Sequence, residues 1–194
     1  MKKLTETKVC TVSLSADCIL AIVKITFGKI GNSSALFSDG IHSCADAFAS
    51  LFVLLGAFGG KNAEKKIKSE KATVRFICLV LLLTGAAILM SSLKNLITHA
   101  EIPIPSGITL AACAFSLAVK EALFIFSRYA SRKTGSVILS AQAWHHQSDA
   151  LSCIGSFIGT AGAIMGIPVL DTVASTAISI MIIKTAFDIF RGKN

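Results

Sequence analysis

Six apolar runs, each long enough to cross a bilayer, leave this chain few folds to choose from. They cover residues 9–30, 35–59, 73–98, 106–129, 141–165 and 169–190. A helix needs roughly 20 predominantly apolar residues to span the hydrocarbon core. The runs are continuous rather than alternating, which argues against a membrane β-barrel. Polar breaks between them are short: Gly31-Asn32-Ser33, the charged segment 60–72, a stretch with Pro103 and Pro105, a basic loop from Arg128 to Ser140, and Gly166-Ile167-Pro168. Gly and Pro at such points mark turns. The expectation is an all-α polytopic membrane protein, a single six-helix transmembrane domain over 1–194 with no soluble domain. Composition agrees: 53% hydrophobic and 15% charged residues is too apolar for a soluble domain. The basic start is not followed by a cleavage-site pattern, so the first run is expected to be retained as a span.

Charge assigns an orientation. The net charge is +8, which in a soluble protein would suggest nucleic acid. Here the basic residues gather in alternate breaks. Lys2, Lys3 and Lys8 precede the first span; Lys61, Lys65, Lys66, Lys68, Lys71 and Arg75 follow the second. Arg128, Arg132 and Lys133 follow the fourth, and Arg191 and Lys193 follow the sixth. These are fourteen of the 19 Lys and Arg residues. The positive-inside rule therefore puts both termini in the cytoplasm, and no nucleic-acid partner is expected. The six cysteines form no CxxC pair and mostly sit in apolar runs, so free thiols are expected.

Two polar motifs interrupt the second and fifth spans. His42 and Asp46 are four apart, as are His145 and Asp149. That spacing puts each pair on one helix face, about one turn apart. A shift of 103 residues overlays the first pair on the second, together with Ala47 on Ala150 and Gly56 on Gly159. A carboxylate at bilayer depth needs a partner or a purpose. Neutral imidazoles and carboxylates suit a four-coordinate metal, with Zn²⁺ favoured by an N₂O₂ set. The alternative is that each His simply hydrogen-bonds its own Asp. Asp39, one turn before His42, is a candidate for an additional metal contact or a selectivity role, or else a helix cap. His146, offset by one residue, is expected to point elsewhere. Cys44 and Cys153 are expected to be small core residues. Lys120-Glu121 is expected to pair near the membrane edge, while Asp17 and Lys24 share one face of the first span. Gly155, Gly159 and Gly162 are expected to allow close helix approach.

SDGIHSCADAFAS (38–50) together with AWHHQSDALS (143–152) resembles the cation diffusion facilitator family of divalent-metal transporters. The resemblance extends over all six spans, and Lys120-Glu121 also looks like the family. It implies that His42, Asp46, His145 and Asp149 form a transport site between the second and fifth helices. It also implies cation efflux by metal/proton antiport in a homodimer, or a heterodimer with a longer relative. Zn²⁺ is the first expectation, with Fe²⁺, Mn²⁺, Co²⁺ and Cd²⁺ as further candidates; the metal is cargo, and no prosthetic group is expected. The chain is expected to lack the family's usual C-terminal cytoplasmic domain. The loop 128–140 has no His, unlike the His-rich loop of many zinc-selective members. No Gly-rich phosphate loop is present, so ATP drive is not expected. The reading is a transporter rather than an enzyme, in the plasma or inner membrane. Its rivals are a membrane-embedded metal-binding subunit or sensor that does not translocate by itself, and a structural protein whose His/Asp pairs only pack.

Overall fold

The computed structural model describes the backbone of residues 2–58, 63–98 and 103–191. Six helices make up nearly all of it: α1 Lys2–Ile30, α2 Ser34–Phe58, α3 Ala63–Ile97, α4 Gly107–Thr134, α5 Val137–Ile164 and α6 Val169–Phe190. No strand occurs among the described residues. Among the described residues four stretches are long and apolar enough to cross a membrane: Glu6–Ile30, Cys78–Ile97, Gly107–Thr134 and Val169–Phe187. Burial runs opposite to that of a soluble protein. Ser13, Asp17, Lys24, Asp39, Lys120 and His146 are buried, while Ile19, Leu83, Met90, Phe115, Ile125 and Leu151 stand exposed. Lipid tails solvate such an apolar exterior, and polar groups must then find partners inside. The protein is an integral membrane protein of the all-α polytopic class.

The helix ends differ from the sequence-based spans at the charged breaks. α4 continues through Arg132 and Lys133 to Thr134, and α5 begins at Val137. The basic loop expected over 128–140 therefore shrinks to Gly135-Ser136. Arg and Lys are good helix formers, and no stop signal precedes Gly135. That glycine takes the left-handed conformation, φ 62°, and its N–H bonds Ser131 O. Ser136 then caps α5, accepting from the Leu139 N–H. Residues 63–72, which the sequence allows as a solvated loop or a surface helix, form the first turns of α3. The expected turn at 166–168 is present, with Gly166 at φ 104°. All six cysteines are free thiols.

Packing pairs α4 with α5, α1 with α2 and α3 with α6, and α2 and α5 also meet each other. One end of the bundle is tied together by polar contacts. Asp171, in the first turn of α6, accepts hydrogen bonds from the Ser33 hydroxyl at 2.6 Å and the Thr160 hydroxyl at 3.1 Å. It also accepts from the Ser34 and Ala35 N–H groups at 2.6 and 3.1 Å. A carboxylate from another helix thus satisfies the orphan donors that begin α2. Ser106 N–H, before α4, bonds Gly31 O in the α1–α2 turn. At the opposite end Val9, Ala130 and Leu139 gather the start of α1, the end of α4 and the start of α5. This sorts the ends of α1, α2, α4, α5 and α6 as an antiparallel bundle requires.

Close approach fixes α2 against α1. A Cβ at Gly28 would lie 2.5 Å from Phe37 N, and one at Gly40 would lie 2.8 Å from Ile25 N. Gly159 and Gly162 press α5 onto α6 in the same way, whereas a Cβ at Gly155 meets nothing within 4 Å. The expectation for Gly155 therefore fails: it lies on the exposed face. Ser38, Ser175 and Ser92 link α2, α6 and α3 through hydroxyl contacts of 2.8 and 3.0 Å.

Candidate metal site

The anchored start of α2 places His42 two turns and Asp46 three turns into the bundle. Asp17, Asp46, Lys120 and Asp149 each lie twelve to fifteen residues from the helix end tied by Asp171. At 1.5 Å per residue that is about 18–22 Å down, near the middle of the fold. Lys24 and Asp39 lie five or six residues from the same end, about 8 Å down. The polar interior therefore has two layers.

In the deeper layer, one donor atom each from His42, Asp46 and Asp149 lies within 4.8 Å of the others, and all three residues are buried. His42 Nε2 is 3.6 Å from Asp46 Oδ2, and His145 Nε2 is 3.8 Å from Asp149 Oδ2. These separations exceed hydrogen-bond length, so neither His is simply bonded to its own Asp. They come close to the spacing of about 3.4 Å between neighbouring ligands around a tetrahedral Zn²⁺ with bonds near 2.1 Å. Asp46 Oδ2 and His42 Nδ1 have no hydrogen-bond partner. His145 is the outlier: its side chain is 39% exposed, and the 4.8 Å group does not extend to it.

Three residues that local sequence pattern did not assign to this layer lie in it. Lys120, expected near the membrane edge, is fully buried and bridges Asp17 Oδ1 at 2.8 Å and Asp149 Oδ2 at 2.5 Å. His146, expected to point elsewhere, is fully buried too. It forms a second three-residue group with Asp17 and Asp149, and neither ring nitrogen has a hydrogen-bond partner. One residue of offset turns it about 100° around α5, toward Asp17 rather than Asp46. The signal available was that Asp17 and Lys120 are ionisable residues in the middle of spans. Glu121 lies at the same depth as Lys120 rather than near the membrane edge, and accepts a hydrogen bond from Gln147 Nε2 of α5 at 3.2 Å.

The shallower layer holds Asp39. Its carboxylate lies 2.8 Å from Lys24 Nζ and accepts from Ser152 Oγ at 2.5 Å. It falls outside both three-residue groups. Lys24 also donates to Ser43 Oγ at 3.0 Å and Cys153 Sγ at 3.1 Å. Cys153 is thus a buried core residue that also receives an ammonium, and Cys44 is half-buried.

Two helices of a membrane bundle converge on a buried His/Asp cluster, and the pattern of the cation efflux transmembrane domain matches residues 10–193. The chain belongs to the cation efflux family. This cation efflux domain is 31% identical to rice metal tolerance protein 2 over 91% of its length, covering 54% of that relative. It is also 31% identical to an uncharacterised transporter of Methanocaldococcus jannaschii, covering 91% of this chain and 64% of the other. With the manganese efflux system protein MneP of Bacillus subtilis the identity is 29%, over 95% of this chain and 66% of the relative. The cation efflux domain thus spans about half to two-thirds of these relatives' lengths.

Proposed function

We propose that the chain carries divalent metal cations out of the cytoplasm, binding them between α2 and α5. The observation that supports this most is the buried meeting of His42, Asp46 and Asp149 within 4.8 Å. His145 supplies the fourth ligand, moving inward from its half-exposed position as the metal binds. Two nitrogens and two oxygens favour Zn²⁺. The name of the Bacillus subtilis relative sets Mn²⁺ beside it, with Fe²⁺, Co²⁺ and Cd²⁺ next to be tested. A fifth oxygen from Asp39 would raise coordination number and hardness and favour Mn²⁺ or Fe²⁺. Asp39 lies about 10 Å nearer the Asp171-tied end than Asp46 does, so it meets the metal only when Lys24 lets go and the metal passes through the shallower layer.

Transport proceeds by alternating access, with helices rocking about a fixed midplane site. Metal and protons compete for the same imidazole and carboxylate atoms, so antiport against protons is the drive. The chain works with both termini cytoplasmic, in the plasma or inner membrane, as a homodimer or beside a longer relative. No bond is made or broken, so the activity is transport and not catalysis.

The test is metal flux into vesicles containing the purified chain, compared across these cations. Alanine at Asp46 or Asp149 is expected to abolish flux while membrane yield stays near wild type. Near-normal flux from either variant sinks the site. Binding without flux in the wild-type chain would favour a metal-binding subunit or sensor.

A further inference from the structure

We propose that the Lys120 ammonium is a tethered counter-ion that exchanges with the transported metal for Asp149, with Asp17 as the place it withdraws to. The inference rests on the transport-site reading and adds a residue to it from outside the His/Asp pairs.

The same oxygen is claimed twice. Asp149 Oδ2 takes the ammonium at 2.5 Å and is also the atom 3.8 Å from His145 Nε2. A divalent ion bound to that oxygen at about 2.1 Å would lie beside the ammonium in a poorly screened interior, where like charges at contact repel strongly. Metal and Lys120 therefore exclude each other at Asp149.

The structure also supplies the exit for the ammonium. Lys120 Nζ already lies 2.8 Å from Asp17 Oδ1, while Asp17 Oδ2 is buried with no hydrogen-bond partner. A small rotation of the lysine stem lets the ammonium take both Asp17 oxygens without leaving the interior. Neither charge becomes an orphan: Lys120 keeps Asp17, and Asp149 gains the metal. On release the ammonium returns to Asp149, so the site never presents an uncompensated carboxylate there, a state that is costly in a buried pair. Lys120 acts through Asp149 and is a positioning residue.

Exchange and scaffolding predict different signs. Asp17→Asn leaves the ammonium with Asp149 as its only carboxylate, so metal affinity falls about tenfold or more, as expected for strengthening a close buried charge pair. Asp17→Asn combined with Lys120→Met removes both charges of that pair and frees Asp149, so affinity rises above wild type by a similar factor. The double variant also avoids a lone buried charge, a replacement that buried pairs often tolerate. The measurement is Zn²⁺ and Mn²⁺ titration by calorimetry on the purified full chain in detergent at one fixed pH. A weaker single variant with a tighter double variant supports the exchange. A double variant no tighter than wild type, or a single variant no weaker, overturns it while leaving the transport site standing. No binding by wild type overturns both.

Discussion

Asp46 buries a carboxylate whose Oδ2 has no hydrogen-bond partner. Among the described residues the one basic side chain within 4 Å of it is the His42 imidazole, at 3.6 Å, and no Lys or Arg pairs with it. An unpaired buried carboxylate opposes folding, so its presence argues for a cation that arrives later. Asp46→Asn is therefore expected to remove metal binding while leaving the metal-free melting temperature unchanged or higher. A marked drop in that temperature would make Asp46 a packing residue. Asp39 differs, because Lys24 and Ser152 hold its carboxylate. Asp39→Asn is expected to cut Mn²⁺ flux more than Zn²⁺ flux in vesicles, because the proposed fifth oxygen is withdrawn. Equal losses would leave Asp39 only a partner of Lys24. The two His/Asp pairs were legible in the sequence because four-residue spacing is a local property of a helix. The Asp17–Lys120–Asp149 bridge was not, because its members come from α1, α4 and α5 and share no local pattern.

At the scale of elements, α2 owes its place to a backbone-to-backbone crossing and a borrowed cap. A methyl group at Gly28 or Gly40 would come within 2.8 Å of backbone atoms of the facing helix, so the helices must separate. Gly28→Ala and Gly40→Ala are each expected to cost more than about 1 kcal/mol, in the range of overpacked cores, and to lower thermal stability in detergent. Gly155→Ala, on an open face, is expected to be neutral or slightly stabilising through helix propensity. Similar melting temperatures for all three would refute the crossing. Of the elements, the six helices were legible because hydropathy alone sets them. Their ends were not, because charged residues that leave the bilayer can extend a helix: Arg132 and Lys133 stay in α4, and the Asp171 cap on α2 comes from a helix about 137 residues away. Such a cap has no sequence signature at Ser34 itself.

For the whole molecule, the basic residues and the sorted helix ends point the same way. The end where Ala130 and Leu139 meet Val9 carries Lys8, Arg128, Arg132 and Lys133, while the end tied by Asp171 carries chiefly Lys29 and Lys94. A reporter fused after Asn194 and one inserted after Thr98 are expected to give opposite topology signals, cytoplasmic for the first. Matching signals would refute six passes.

Drive is the remaining whole-molecule property of the proposed transporter. Asp46 and Asp149 sit about 18–22 Å, and His42 about 12 Å, from the end tied by Asp171, and the sequence carries no Gly-rich phosphate loop. Under the proposed efflux, a metal bound there must be released against its concentration gradient by something that takes the same ligand atoms. In the proposed antiport protons do so, because a protonated imidazole or carboxylate cannot hold the metal through that atom. In the proposed antiport, an inward-directed proton gradient would load protons at the outward face, expel metal there and reset the carrier. In vesicles, metal efflux from the cytoplasmic face is expected to rise several-fold when the opposite compartment is acidified over about pH 8 to 6, the range bracketing the imidazole reference value. Collapsing the gradient with a protonophore should return the flux to its equal-pH rate. Flux that ignores both manipulations would identify a uniporter and remove antiport from the mechanism.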